Sequence, residues 1–175
     1  LEDTLRESTL ISGKVKSDLI SVAERCRQTM SKTVEEYLKS SGKEPSAIYA
    51  DALFHRDPGI YYISVVKKGD KIPLVELKNQ AAGAIVSSDF NTLLKSYQAL
   101  IEKTFKGEEV LMNPSAYFNE AVVGMAVPFE IIEGKESVLV VFFAMERLIE
   151  SIRTKGFINS FMVSGNGDLI VHYDP

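Results

Sequence analysis

Histidine is the side chain best suited to bind a metal ion or transfer a proton near neutral pH, and this chain has two. His55 and His172 stand more than a hundred positions apart, each beside turn residues. One hypothesis is a metal pair completed by Asp57 or Asp174, but structural or surface roles explain both histidines more simply. We therefore predict no metal site and no catalytic residue.

The sequence signatures of common catalytic and phosphate-binding sites are absent. The patterns G-x-x-x-x-G-K-[ST], G-x-G-x-x-G, H-E-x-x-H and G-x-S-x-G do not occur. Residues 165–168 read Gly-Asn-Gly-Asp, but a calcium loop would need further acidic ligands and a terminal Glu, so we interpret them as a turn. No cofactor is predicted.

Three other polar positions have simple structural interpretations. Cys26 falls on an apolar helical stripe, where a small buried side chain explains it better than a reactive thiol. A local ion pair in a turn explains Arg56 and Asp57 better than a site for a charged ligand. None of these residues predicts catalysis.

The composition is that of a globular protein with one well-formed core. Of 175 residues, 45% are hydrophobic and 25% charged, and the net charge of −4, without a basic cluster, argues against nucleic-acid binding. The single cysteine excludes an intrachain disulfide. No apolar run approaches the roughly 18 residues of a membrane span, and the acidic start is not that of a signal peptide.

The longest regular segment comes first. Apolar residues recur there at spacings of three and four, which predicts one apolar stripe on a helix over residues 11–39, about 43 Å long. The stripe consists of Ile11, Val15, Leu19, Val22, Cys26, Met30, Val34 and Tyr37. Packing against the core and contact with a second copy are both consistent with this stripe.

The remaining pattern predicts an α+β fold with an antiparallel sheet. Strands are expected at 47–54, 60–66, 72–77, 110–112, 121–129 and 138–143, with a helix at 89–106. Pro73 places the third of these strands at an edge or makes it begin there. A helix from Met145 to a cap at Gly156 then precedes a hairpin of strands 158–164 and 168–173, joined by residues 165–167.

The last third of the chain resembles Cache domains, the PAS-like ligand-sensing modules of bacterial receptors. The resemblance rests on the order and spacing of four segments rather than on any one of them. They are Met125-Ala126-Val127-Pro128, the hydrophobic strand to Phe143, the short helix beginning Glu146-Arg147-Leu148, and the hairpin from Phe161 to Pro175. The implied fold is a PAS/Cache-like antiparallel sheet with a long N-terminal helix packed against it.

The resemblance also implies a domain organisation and a function. Residues 1–41 would form a signalling or dimerisation helix, 42–157 the sensor module, and 158–175 a hairpin that closes the sheet or opens a second module. The chain would be the periplasmic or extracellular part of a membrane receptor, such as a chemoreceptor, histidine kinase or nucleotide cyclase, whose membrane segments lie outside these residues. Its partners would be a small-molecule ligand and, in a homodimer through the N-terminal helix, a second copy. The alternatives are an intracellular PAS- or profilin-like interaction domain, or a small enzyme if His55, Asp57 and His172 met at a cavity.

The ligand site implied by the family lies between the strands and the connecting helix and loop. Its expected walls are Tyr62, Tyr97, Tyr117, Asn119, Phe129 and Phe142, which would suit a small, partly apolar ligand. Tyr61 should point to the sheet face opposite Tyr62. Amino-acid binding is not implied, because Phe142 occupies the position of the family's ligand-binding Asp and the chain has no tryptophan. The alternative is that these aromatic residues only fill the core.

Overall fold

The computed structural model describes residues 2–40, 47–80, 90–130, 136–146, 148–149, 161–163, 167 and 169–172, of which 2–8, 161 and 170–172 are described by backbone alone. The helix end expected at 150–156, the first hairpin residues at 158–160 and the turn residues 165–166 lie outside these ranges.

The first helix, α1, spans Glu2–Lys39 and begins earlier than the sequence pattern predicts. Its 38 residues correspond to a rod of about 57 Å. The predicted apolar stripe is confirmed: every stripe residue is packed in one core cluster, and Cys26, Met30 and Val34 are fully buried. Tertiary burial of this face, rather than helix propensity, therefore stabilises α1 over the sheet.

Five strands form one antiparallel sheet in the order β2-β1-β5-β4-β3. The strands are β1 (Ile60–Lys67), β2 (Val75–Lys78), β3 (Val110–Met112), β4 (Val122–Pro128) and β5 (Ser137–Ala144). The apolar run of β5 suits its central place, because a strand paired on both sides and covered on both faces needs apolar residues throughout. Strand β2 lies at an edge, as Pro73 predicts. The α+β fold with a long helix against an antiparallel sheet is thus confirmed.

The sheet separates two apolar layers because side chains alternate along each strand. Alternate residues such as Met125, Val141 and Phe143 face α1. Their neighbours Ala126, Val140 and Phe142 face α3 (Phe90–Ser96) and α4 (Gln98–Thr104). We call these the α1 face and the α3/α4 face of the sheet.

The strand expected at residues 47–54 is wrong. This segment forms helix α2, Ile48–Arg56, which packs beside α1. Its buried residues Ala50, Leu53 and Phe54 fall at spacings of three and four from the first, which is helical periodicity. The short apolar run hid that period, since runs of this length suit either structure.

The single helix expected at 89–106 is interrupted. Tyr97, with φ −103° and ψ 11°, separates α3 from α4, and the amide of Ile101 then donates to the Tyr97 carbonyl to start the second helix. Gly107, at φ 94°, follows the last turn, where a glycine commonly ends a helix. Of the helix expected from Met145, the described part shows the first turn, in which Leu148 and Ile149 donate to the Met145 carbonyl.

The C-terminal hairpin is confirmed over its described residues. Strands β6 (Phe161–Val163) and β7 (Leu169–His172) pair antiparallel, and Gly167 takes the positive φ of 86° that its turn requires. Within the described residues they form their own two-stranded sheet and do not extend the five-stranded ladder.

No helix in the described ranges is both long enough and apolar enough to cross a membrane. Although α1 has the length, charged side chains along its outer side keep its mean hydropathy low.

Candidate functional site

Two consecutive tyrosines of β1 lie on the same face of the sheet. The ladder between β1 and β5 shifts between Ile60, which pairs with Phe143, and Tyr62, which pairs with Phe142. This β-bulge inserts one extra residue, so Tyr61 and Tyr62 both join the α3/α4 layer. The expectation that they point to opposite faces is therefore wrong.

The α3/α4 face carries a cluster of five aromatic side chains, which we call the aromatic cluster: Tyr61, Tyr62, Phe90, Phe118 and Phe142. The rings of Tyr62 and Phe90 stack in parallel with centroids 4.1 Å apart, and those of Tyr62 and Phe142 lie 5.7 Å apart. Tyr62 and Phe142 are fully buried. The sequence-predicted residues Tyr62 and Phe142 thus meet, and their rings fill the space between them.

A glycine makes room for the centre of this cluster. Gly124 of β4 pairs directly with Phe142 of β5. A Cβ atom at Gly124 would lie 2.8 Å from Cε1 and 2.9 Å from Cδ1 of Phe142, well inside van der Waals contact. The Phe142 ring therefore rests on the backbone of Gly124.

A charged group borders the cluster on the side of the β2 edge. The Tyr62 hydroxyl donates to Oε2 of Glu76 at 2.9 Å, and Lys78 Nζ lies 2.7 Å from the other oxygen of that carboxylate. The same ammonium is 5.8 Å from the centroid of the Phe90 ring, within range of a cation–π contact. The buried Tyr62 hydroxyl is satisfied in this way.

Tyr61 sits beside two carboxylates. Burial raises the pKa of the Tyr61 hydroxyl, and the hydrogen bond to Glu120 together with the negative charges of Glu120 and Glu146 raises this pKa further. All of these causes disfavour the phenolate, so Tyr61 is a neutral donor across the physiological pH range.

We expect the raised pKa of Tyr61 to lower stability in alkali. Because the folded-state pKa exceeds that of about 10 in the unfolded chain, the contribution of Tyr61 is complete below pH ~10 and is lost as the pH rises towards the folded-state pKa. Tyr61→Phe should make the free energy of unfolding fall less steeply with pH above ~10, by up to about 1.4 kcal/mol per pH unit. Urea denaturation between pH 8 and 11 measures this, with Tyr117→Phe as the matched control. Equal slopes for Tyr61→Phe and the parent would contradict the assignment.

Tyr97 and Tyr117 form a separate pair beside the cluster. Their rings meet edge to face at 6.5 Å. The Tyr97 hydroxyl donates to the Asn113 carbonyl at 2.8 Å, and that of Tyr117 donates to Ser96 Oγ at 3.1 Å. Asn119, in the segment before β4, is exposed. Both tyrosines are half-buried, so a molecule approaching from solvent could reach them.

Phe129 does not join these residues. It belongs to the core cluster on the α1 face, so the sheet separates it from Tyr62 and Phe142. There it lines an open cleft of about 780 Å³ between α1 and the end of α4. The cleft is lined by Arg27, Ser31, Thr104, Phe105, Gly107, Pro128, Phe129, Glu130, Glu136 and Ser137. Phe129 therefore cannot share a wall with the other predicted residues.

Two buried hydroxyls lack hydrogen-bond partners within the described ranges. The first is Oγ of Ser64, in the middle of β1. The second is Oγ1 of Thr104, a residue that lines the cleft. An unpartnered buried hydroxyl destabilises the fold and is retained most easily where it serves a ligand or a bound water. Neither residue was singled out from the sequence, because an isolated Ser or Thr in an apolar stretch carries no pattern.

We expect Thr104→Val to stabilise the protein by about 1 kcal/mol, since it removes a buried hydroxyl without changing the side-chain shape. Thr33→Val is the matched control: Thr33 is equally buried, but its hydroxyl donates to the Thr29 carbonyl at 2.9 Å. That variant should be neutral or less stable by up to about 1 kcal/mol. Chemical denaturation compares the two, and a Thr104→Val variant less stable than Thr33→Val would contradict the description of Thr104.

The hypothesis of a metal pair has no support in this part of the chain. His55 is exposed at the end of α2, and Asp57 pairs with Arg25 of α1, with 3.0 Å between Nη2 and Oδ2. This ion pair of Asp57 joins distant segments of the chain, and the local pair with Arg56 stays a prediction. In the described ranges no three His, Cys, Asp or Glu side chains are grouped to hold a metal ion.

Comparison with known proteins adds no family to this description. No model of a known protein family matches the chain, and no curated protein is significantly similar to it in sequence. Function must therefore be argued from the fold and the side chains.

Proposed function

We propose that this chain is the extracytoplasmic ligand-sensing domain of a transmembrane signalling receptor, of the Cache type that its last third resembles. The observation that carries the proposal is the division of one sheet between a long helix and an aromatic layer. Helix α1 packs along one face, and the aromatic cluster with the Tyr97–Tyr117 pair lies on the other. This is the arrangement expected of a module that binds on one face and signals through the helix on the other.

The proposed signal passes through the two central strands. Neighbouring side chains on β5 face opposite ways: Phe142 belongs to the aromatic cluster, while Val141 and Phe143 pack in the α1 layer. A ligand that shifts Phe142 would move the backbone that also positions its neighbours. If the domain binds the ligand more tightly with α1 in one position than in another, the ligand raises the population of the conformation with α1 in that position.

The ligand in this proposal is small and partly apolar. Closely stacked rings of Tyr62, Phe90 and Phe142 leave the centre of the cluster filled, so a ligand contacts its margin or displaces a ring. At that margin the half-buried Tyr97 and Tyr117 offer aromatic surface and hydroxyl groups. Flat or short-chain molecules with one or two polar groups fit these features.

A thermal-shift screen against metabolite libraries tests the proposal, because a ligand that binds only the folded state raises the melting temperature. We expect a dose-dependent rise that Tyr117→Ala reduces. Tyr49→Ala is the control, since Tyr49 is a partly exposed tyrosine on α2, whose buried residues pack on the α1 face of the sheet. Phe142 is less suitable for this test, because replacing a fully buried ring would lower stability by itself.

Two outcomes would contradict the proposal. A ligand whose effect survives Tyr117→Ala but is lost in Thr104→Val or Arg27→Ala would place the site in the α1-side cleft. No shift in a broad screen, together with a melting temperature that rises with protein concentration, would favour the alternative of a dimerisation or interaction domain.

A further inference from the structure

Asn113 lies where three parts of the molecule meet. It directly follows β3, a strand at the edge of the sheet, and precedes the short 3₁₀ helix Ser115–Tyr117. Its backbone carbonyl accepts the hydrogen bond of the Tyr97 hydroxyl at 2.8 Å. Its side-chain amide donates to the carbonyl of Leu169 in β7 at 3.0 Å. One residue thus contacts both the α3–α4 junction and the C-terminal hairpin.

The orientation of the Asn113 amide is fixed by Ser115. Oδ1 of Asn113 accepts hydrogen bonds from the Ser115 backbone N–H at 3.2 Å and from its hydroxyl at 2.6 Å. The same hydroxyl accepts from the Val122 amide at 3.0 Å, which ties this turn to the start of β4. Because both bonds to Ser115 use the oxygen, the NH₂ group of Asn113 is left to face the hairpin.

Of the hairpin side chains that the structure describes, only one packs against the core. An isolated two-stranded hairpin is marginally stable in water. Of its side chains, Met162 packs against the core on the α1 face, whereas Val163 and Leu169 are about half exposed. Val163 and Leu169 are paired across the two strands, so this exposed apolar pair contributes little to docking. A hydrogen bond at Leu169 therefore counts for more here than in a well-buried strand.

We propose that Asn113 is a latch that couples the position of the hairpin β6–β7 to the junction between α3 and α4. Tyr97 holds the latch from the side of the aromatic layer, and Ser115 orients it. Release of the Tyr97 hydroxyl, by a ligand or by mutation, loosens the backbone of Asn113 and with it the Leu169 contact. This gives the C-terminal end of the chain a link to the α3/α4 face that does not pass through α1. It stands without the proposed function, since the coupling exists with no ligand bound.

Hydrogen exchange of the whole chain, read by mass spectrometry at residues 161–172, tests the latch. Asn113→Asp keeps an oxygen for Ser115 but replaces the donor to Leu169 with an acceptor. We expect exchange in the hairpin to become about three- to tenfold faster, the effect of losing an exposed hydrogen bond from a marginally stable element. Asn113→Ala should act in the same direction. Unchanged exchange at 161–172 in both variants would overturn the latch.

Coupling to the aromatic side needs a separate pair of variants. Tyr97→Phe removes the hydroxyl that holds Asn113, and Tyr117→Phe removes the hydroxyl of its ring partner, which contacts Ser96 instead. We expect Tyr97→Phe to accelerate exchange in the hairpin about two- to threefold and Tyr117→Phe to leave it unchanged. Equal effects of the two variants would overturn the coupling. Exchange at residues 137–144 of β5 should stay at the parent rate throughout and serves as the reference for global stability.

Discussion

Asp57→Ala is expected to lower the free energy of unfolding by about 3 kcal/mol, because it removes the more deeply buried partner of an ion pair. The carboxylate of Asp57 is 3% exposed, whereas the Arg25 side chain is 28% exposed. The pair joins α1 to the turn between α2 and β1, where the amide of Ile60 also donates to the Asp57 carbonyl. With Asp57 gone, the Arg25 guanidinium keeps the Ser21 hydroxyl and some access to water, which places the loss at the lower end for buried pairs.

Removal of Arg25 should be no less costly than removal of Asp57. Arg25→Met leaves the nearly inaccessible Asp57 carboxylate without the guanidinium, so it should cost at least as much as Asp57→Ala. Urea denaturation followed by circular dichroism measures both, and a loss of 3 kcal/mol corresponds to a fall in Tm of roughly 6–12 °C for a chain of this size.

The control for Asp57 is the exposed pair of Glu35 and Lys39 one turn apart on α1, whose side chains are 63% and 74% exposed. The side-chain hydrogen bond and charge of Lys39 lower the pKa of Glu35, but solvent screens such a pair. Glu35→Ala should leave the free energy of unfolding almost unchanged. If Asp57→Ala and Glu35→Ala had equal effects, the burial of the Asp57 pair would have no energetic weight.

Gly124→Ala is expected to destabilise the protein by about 1–3 kcal/mol through overpacking. The new methyl would meet the Phe142 ring at 2.8 Å and Met112 Cβ at 3.2 Å. Phe142 cannot yield easily, because Tyr62 and Phe90 stack against it on the other side. Gly13→Ala is the matched control: Gly13 is exposed on α1 with no atom within 4 Å of an added Cβ, so the same change should stabilise by about 0.5–1 kcal/mol.

A double variant tests whether Phe142 is the cause. Phe142→Leu shortens the side chain that meets the new methyl, so Gly124→Ala should cost less in that background than in the parent. We expect an interaction energy of about 1 kcal/mol in the thermodynamic cycle. Strictly additive effects would show that the loss comes from elsewhere in the strand.

The elements predicted best from the sequence are those whose apolar residues repeat with one clear spacing. Helix α1 and the strands β4 and β5 follow from spacings of three to four or from continuous apolar runs. The prediction of a strand at residues 47–54 failed because a short run with several alanines fits both the period of a strand and that of a helix. The break at Tyr97 was missed because the apolar stripe continues through it, and tertiary packing of two short helices decided the geometry.

For the candidate site, the residue types could be chosen from the sequence but not their faces. Phe129 follows Val127 by two positions and so shares its face, yet which face holds Phe142 depends on the register between β4 and β5. The bulge that turns Tyr61 and Tyr62 to one side has no sequence signature here. Phe118 joined the cluster from an irregular segment, for which periodicity gives no information.

The central position of β5 also bears on the lifetime of the protein in solution. Residues 138–143, Val-Leu-Val-Val-Phe-Phe, contain neither charge nor proline, which is the composition of segments that stack into cross-β fibrils. In the native fold both edges of this strand are paired, with β1 and β4, and both faces are covered. The shorter strands β2 and β3 occupy the outer positions instead. The fold thus sequesters its most aggregation-prone segment at its centre, and its resistance to fibril formation depends on how rarely the whole sheet opens.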